Sequence, residues 1–310
     1  MTGAEAIEHG RHALERQLPV IGTRRQAWHP RVQDQREGQR LVVEYAPHER
    51  AAAVRCVIAK FYSDQTGVNS FEAMTSVSAG IDSMVGTAPA LAVPRALFYD
   101  GDLRLLVQER VVGAPYLELL ERRNFRSHLR LAGRALACLH SLPCHLAAKD
   151  IEEHMAELMR PHPLRLAEAL PHERARIESL VCALVAAARA RQRGCARLHR
   201  DFHMRQLFRR GKRIWVIDWD LSASGDPALD AGNFLVNICK HAPERAQHGS
   251  AAFLEGYLSD GPAEVEARLP LYEAFNHLRL ACKAFRLREP GWDEPMRGRL
   301  LASERSLEAL

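Results

Sequence analysis

The chain has 310 residues, 47% hydrophobic and 26% charged, the composition of a folded protein with one large domain or two modest ones. A net charge of +5, from 43 basic and 38 acidic residues, gives only mild attraction to polyanions and argues against a nucleic-acid-binding tail. The 7 cysteines are odd in number, scattered and without a CxxC pair, which argues against a disulfide framework or zinc site and for reduced thiols in a cytoplasm.

The opening stretch, MTGAEAIEHGRHALERQLPV, carries charges throughout and has no apolar h-region, so no secretory signal is expected. No stretch approaches about 18 uninterrupted apolar residues, so no membrane span is expected either. Strands are expected at RLVVEYA (40–46), VRCVIAKFY (54–62) and LRLLVQERVVG (103–113), where short apolar runs are split by turn formers. Between the second and third, VNSFEAMTSVSAGI reads as a helix with Asn69 or Ser70 near its cap. Beyond Gly113 and Pro115 the period becomes helical. Leu129, Ala132, Leu136 and Leu139 form one stripe, and Ile177, Leu180, Val181, Leu184, Val185 and Ala188 another. A third runs through Leu271, Phe275, Leu278, Cys282 and Phe285.

One island interrupts the helical half. ARLHRDFHMRQLFRRGKRIWVIDWD holds two short apolar runs joined by RRGK, a hairpin turning at Gly211. Asp201 precedes its first strand and Asp218 ends its second, so the two carboxylates are candidates for one shared site. Gln206 adds an amide oxygen, and such hard oxygens suit Mg²⁺ bound together with substrate phosphates. A carboxylate free of metal could accept a hydroxyl proton. His199 and His203 around Asp201 also admit a transition-metal site, with loop bracing or substrate contact as the blander alternatives. The six arginines of 197–213 admit a nucleic-acid face, but no stacking aromatics are interleaved and solvation of the hairpin tip is the simpler reading. Asp150, Glu153 and Glu157 share one helical face that could receive a cationic molecule or simply face water. Asp230, ahead of an apolar run, reads as a helix cap or loop brace.

HRDFHMRQ resembles the catalytic loop H-R-D-x-x-x-x-N of protein-kinase-like enzymes, with Gln206 in the position of the asparagine. VIDWD follows where the metal-binding segment is expected, Asp218 lying 17 residues beyond Asp201, and GDPALDAGNFL continues the series. Together they are similar to the aminoglycoside phosphotransferase and choline kinase branch of small-molecule kinases, in a subgroup with HRDF and glutamine at the metal position. The sharp match spans roughly residues 196–237, and element order extends it over about 40–290.

The resemblance implies an α+β, two-lobed protein-kinase-like fold: a strand-rich, nucleotide-binding N-lobe over 1–110 and a helical C-lobe over 111–310 that holds the catalytic loop and metal-binding hairpin. It implies transfer of the γ-phosphoryl of ATP or GTP to a small-molecule hydroxyl, with Mg²⁺, and neither nucleic acid nor membrane as partner. Asp201 would be the catalytic base, Asp218 and Gln206 metal ligands, and His199, His203 and Asp220 bracing or substrate-contacting groups. Lys60 would hold the α- and β-phosphates with Glu72 as its ion-pair partner, and backbone groups near Glu109 and Val111 would receive the adenine. Departures are visible. No G-x-G-x-x-G precedes Lys60, where Gly22 and Gly38 stand isolated, and D-F-G glycine and A-P-E are missing. These, with Gln206, keep a nucleotide-binding pseudokinase or regulatory module open as the alternative.

Overall fold

The computed structural model describes residues 2–18, 28–36, 40–47, 56–84, 89–144, 146–191 and 194–310. From the N-terminus come α1 (Gly3–Gln17), β1 (Trp28–Arg36), β2 (Arg40–Pro47), β3 (Val57–Tyr62), α2 (Thr66–Asp82), β4 (Leu91–Ala92), β5 (Ala96–Asp100) and β6 (Leu105–Glu109). Next are β7 (Ala114–Pro115), α3 (Tyr116–Leu120), α4 (Phe125–Ser141), α5 (Ile151–Leu158), α6 (Pro163–Ala169), α7 (Arg174–Arg189) and β8 (Ala196–Leu198). The rest comprises β9 (Leu207–Arg210), β10 (Arg213–Val216), β11 (Ala223–Gly225), α8 (Ala228–His241), α9 (Ala246–Leu258), α10 (Leu269–Leu287) and α11 (Asp293–Glu308). The class is α+β, as expected. No described helix is long and apolar enough to cross a membrane.

Two compact units emerge: Met1–Ala114 with Leu207–Ser222, and Pro115–Gln206 with Ala223–Leu310. The first differs from an N-lobe ending at 110, because it also claims the hairpin. Backbone pairing explains this: β10 runs parallel to β4, with Ile214 opposite Leu91 and Trp215 opposite Ala92, and the Ile214 N–H donates to the Ala90 carbonyl at 2.7 Å. The hairpin itself turns at Gly211, whose φ of +62° a residue without Cβ adopts at little cost.

The main sheet of the first unit has the antiparallel order β1-β2-β3-β6-β5. Strand alternation sends Leu41, Val43, Tyr45, Ala59, Phe61, Leu105 and Val107 to one face, where they bury against Ala13 and Leu14 of α1. That helix has no counterpart among the elements expected from the sequence. Its signal is a capping box: Thr2 accepts the Glu5 N–H, and the Glu5 carboxylate accepts the Thr2 N–H at 2.7 Å. The opposite sheet face carries Arg40, Lys60 and Tyr62, since Arg40 lies opposite Tyr62 and Val42 opposite Lys60. Helix α2 starts at Thr66, earlier than Asn69 or Ser70, because the Asp64 side chain accepts the Thr66 N–H at 2.9 Å.

In the second unit most of the expected stripe residues are buried: Leu129, Ala132, Leu136 and Leu139 on α4, Ile177, Leu180, Leu184 and Ala188 on α7, and Leu271, Phe275, Leu278 and Cys282 on α10, while Val181, Val185 and Phe285 are half-buried. The Gly256 backbone of α9 lies so close to α4 that a Cβ there would come within 2.0 Å of the Arg130 carbonyl oxygen. Strand β8 pairs antiparallel with β11 and delivers the chain into the loop 199–206. Arg200 takes a left-handed φ of 62° there. Asp230, the third residue of α8 and completely buried, accepts the N–H groups of His199 and Arg200, both at 2.7 Å. Its expected role as a loop brace is what the structure shows, while at the start of α8, behind the N-cap Pro227, Asp226 accepts the Ala228 N–H at 2.9 Å. Asn233, one turn further, donates to the Phe202 carbonyl at 3.1 Å.

Replacing Asp230 with alanine leaves two buried N–H groups without an acceptor, and denaturant melts should register a loss of about 2–5 kcal/mol. Asp230→Asn keeps one acceptor oxygen and should lose less; equal stability of the alanine variant and the parent would refute the clamp.

Candidate active site

In the first unit, strand β10 leads to Asp218, held in the left-handed region at φ 67° and ψ 64°, followed by a 3-10 turn over 219–221. Trp219 is buried and its indole N–H donates back to the Val216 carbonyl at 2.9 Å, which pins the turn. Asp218 and Asp220 therefore flank one fixed indole.

The Lys60 Nζ donates to Asp218 Oδ1 at 2.6 Å and to Asp220 Oδ1 at 3.2 Å. Arg40 joins through Nη1, at 3.1 Å from Asp218 Oδ1 and 2.9 Å from Asp220 Oδ2. Asp220 Oδ1 also accepts the Tyr62 hydroxyl at 2.8 Å and the Ser70 hydroxyl at 2.9 Å. Burial disfavours the charge on Lys60, but the two carboxylates outweigh it and hold its pKa above the ordinary lysine value. Burial, and then the Asp220 charge, push the Tyr62 phenol up, so Tyr62 enters the cluster as a neutral donor.

Lys60 thus has carboxylate partners, though they differ from the one expected. Glu72 is exposed on α2, and the position of that helix facing the cluster is Ser70. The helical period explains the exchange, because residues two apart point to different sides of a helix. Arg40, Tyr62 and Ser70 were not foreseen; for Arg40 and Tyr62 the strand register carries the signal, since both share the sheet face of Lys60. Glu109 ends β6, its N–H donating to the Arg95 carbonyl at 3.0 Å and its carboxylate accepting the Arg95 N–H at 3.3 Å. Val111 lies two residues past that strand and is half-buried. Gly22 and Gly38, the glycines nearest to a phosphate-covering loop in the sequence, fall outside the described residues.

In the second unit, Asp201 sits at the centre of a small donor set. Arg279 of α10 reaches it through Nη2 at 3.1 Å, while Nη1 donates to the Arg200 carbonyl at 2.7 Å. Gln206 donates through Nε2 to Asp201 Oδ2 at 3.3 Å, and His203 Nε2 stands 3.4 Å from the same oxygen. Burial pushes the Asp201 carboxyl up, but the His203 hydrogen bond and the Arg279 guanidinium prevail and hold it below the usual carboxylate range. His199 is buried, and its Nδ1 accepts the Asp201 N–H at 3.3 Å. Arg197, one of the arginines expected to face solvent, is buried, as is Arg200 of the HRD series; Arg200 pairs with Glu157 and lies 3.3 Å from His154 Nδ1.

Among the described residues no group of three or more His, Cys, Asp or Glu side chains gathers to hold a metal ion. Within the first unit the carboxylates of Asp218 and Asp220 are hard oxygen donors, a pair that fits a cation retaining waters and arriving with phosphate oxygens and not an all-protein metal cage.

Residues 70–268 match the model of the phosphotransferase enzyme family. No curated protein sequence matches the chain. Among solved structures, a choline/ethanolamine kinase family protein from Mesorhizobium loti is 15% identical with a TM-score of 0.62, covering 98% of this chain and 95% of that one. A macrolide 2'-phosphotransferase from Brachybacterium faecium is 14% identical with a TM-score of 0.60, over 96% and 98%. An amicoumacin kinase in complex with AMP-PNP, Ca²⁺ and Ami is 14% identical with a TM-score of 0.62, over 90% and 88%. These likenesses show the kinase-like fold. With well over half of its length matched, the chain belongs to the phosphotransferase enzyme family.

Proposed function

We propose that this phosphotransferase moves the γ-phosphoryl of ATP or GTP to a hydroxyl of a small molecule, in the presence of Mg²⁺. The observation that carries the reading is Asp201, an ionised carboxylate in a clamped loop with Arg279, Gln206 and His203 on its two oxygens. A carboxylate so held accepts or orients the acceptor hydroxyl proton while the nucleotide supplies the electrophile.

The first unit handles the nucleotide. Lys60, with Arg40 beside it, would trade carboxylate for the α- and β-phosphate oxygens, and Asp218 with Asp220 would hold the metal, Gln206 being the further ligand that the family resemblance implies. The bound ion supplies charge neutralisation on the phosphates. The chain at Glu109 and Val111 receives the adenine. His199 fixes the loop, and His203 orients Asp201. The amicoumacin kinase of the same fold, in complex with AMP-PNP and Ca²⁺, supports a nucleotide together with a divalent cation.

Asp201→Asn keeps the volume and removes the base, and should lower kcat by at least about 100-fold with the nucleotide KM within a few-fold of the parent. Unchanged turnover in that variant sinks the assignment. Because its pKa is depressed, Asp201 stays ionised above the ordinary carboxylate value, and both its basicity and the stability its partners contribute are lost only as pH falls through the lowered value. The pH–rate profile should therefore show no acid limb from this carboxyl above about pH 4. Chelation of divalent cations by EDTA should stop transfer and added Mg²⁺ restore it; turnover that persists in EDTA contradicts the metal's role.

A further inference from the structure

The second unit surrounds Asp201 with cations. Arg279, Lys283 and Arg286 recur at i, i+4 and i+7 along α10, the spacing of one helix face. Lys240 stands in the last turn of α8, and Arg205 immediately precedes Gln206. Among the described residues, Arg205, Lys240, Lys283 and Arg286 form no ion pair with a carboxylate, and Arg279 is committed to Asp201.

These groups feel one another. Burial and then Lys283, Arg299 and Arg205 press the Lys240 pKa down. Burial first, followed by Arg279, Arg286 and Arg205, lowers Lys283 against the opposing pull of Asp201. His241 is pushed down to about 4 by burial, Lys240 and Arg205, so it adds no charge at neutral pH. Opposing anions are few: Asp201 itself, Glu289 near Lys240, and Glu273, whose carboxyl burial raises to about 7. The α8 dipole explains a lysine in that helix's last turn, whereas Lys283 lies short of the last turn of α10. Arg205, Lys240, Lys283 and Arg286 are exposed to solvent, where an anion can reach them.

The acidic face that could serve a cationic molecule is already used. Asp150 caps α5 and accepts the Glu153 N–H, while Glu153 returns the bond to the Asp150 N–H. Glu157 is taken by Lys149 and Arg200.

We infer that the hydroxyl acceptor is itself an anion, a small hydroxylated molecule bearing a carboxylate or a phosphate, received by Lys240, Lys283 and Arg205 beside Asp201. The inference rests on Asp201 being the group that meets the acceptor hydroxyl. Electrostatic complementarity then selects the acceptor, by attracting an anion and leaving an ammonium in a repulsive field.

The test is calorimetric binding to the full chain saturated with Mg²⁺ and AMP-PNP. One probe set is glucose, glucosamine, glucuronate and glucose 6-phosphate, and a second is glycerol, ethanolamine, glycerate and glycerol 3-phosphate. In at least one set an anionic member should bind about tenfold or more tightly than the neutral one, with the amine weakest. The carboxylate and phosphate arms separate the two anion chemistries. Lys240→Gln combined with Lys283→Gln should erase that preference while neutral-probe binding and Tm stay unchanged. The inference is overturned if no anion outbinds its neutral counterpart, if an amine binds tightest, or if the preference survives in the double variant. When ATP replaces AMP-PNP, anion preference without transfer to any of the probes would count against the transferase reading and not against the anion site.

Discussion

A lysine ammonium buried in a protein interior must find anions within a few ångströms or give up its charge. Lys60 meets that demand with two aspartates that enter the first unit from residues 207–222. Lys60 and Arg40 lie between the oxygens of Asp218 and Asp220, and Tyr62 and Ser70 supply the remaining donors. The left-handed backbone at Asp218 and the buried indole of Trp219 hold both carboxylates in that position. The result is a compact set of cations and hard oxygens of the kind that phosphates and a divalent ion can enter by exchange.

The second unit applies the same electrostatics with the sign reversed. Asp201 is a lone carboxylate among guanidinium, imidazole and amide donors, and its loop owes its shape to Asp230 accepting two adjacent N–H groups. Arg279 both contacts Asp201 and holds the Arg200 carbonyl, so one side chain fixes the reactive group and the backbone that carries it. The excess of cations beyond those needed for Asp201 points away from amine acceptors and toward anionic ones.

What the sequence made legible was local. HRDFHMRQ and VIDWD lie at fixed separations on one stretch of chain, so Asp201, Gln206 and Asp218 could be named without knowing any tertiary contact. Lys60 followed from the family resemblance, which implies a lysine on the third strand. The partners were not legible in the same way. Arg40 and Tyr62 reach the cluster through strand register, and Ser70 through the true start of α2, one turn before the expected cap. Glu72 was a plausible partner by residue type and lies on the wrong side of its helix. Arg279 sits 78 residues from Asp201, and nothing local announces that contact. The acidic run of α5 illustrates the converse, since an apparent binding face proved to be a capping box and a pair of internal salt bridges. Side-chain type and spacing reveal which chemistry is available, whereas packing decides which groups spend it on each other.

The most direct measurement of the central claim is AMP-PNP affinity with and without Mg²⁺, in the parent and in Asp218→Asn. If Lys60, Asp218 and Asp220 form the nucleotide and metal site, Mg²⁺ should tighten AMP-PNP binding by about tenfold or more in the parent and leave it little changed in the variant. Equal affinities with and without Mg²⁺ in the parent, or an undiminished Mg²⁺ effect in Asp218→Asn, would contradict it.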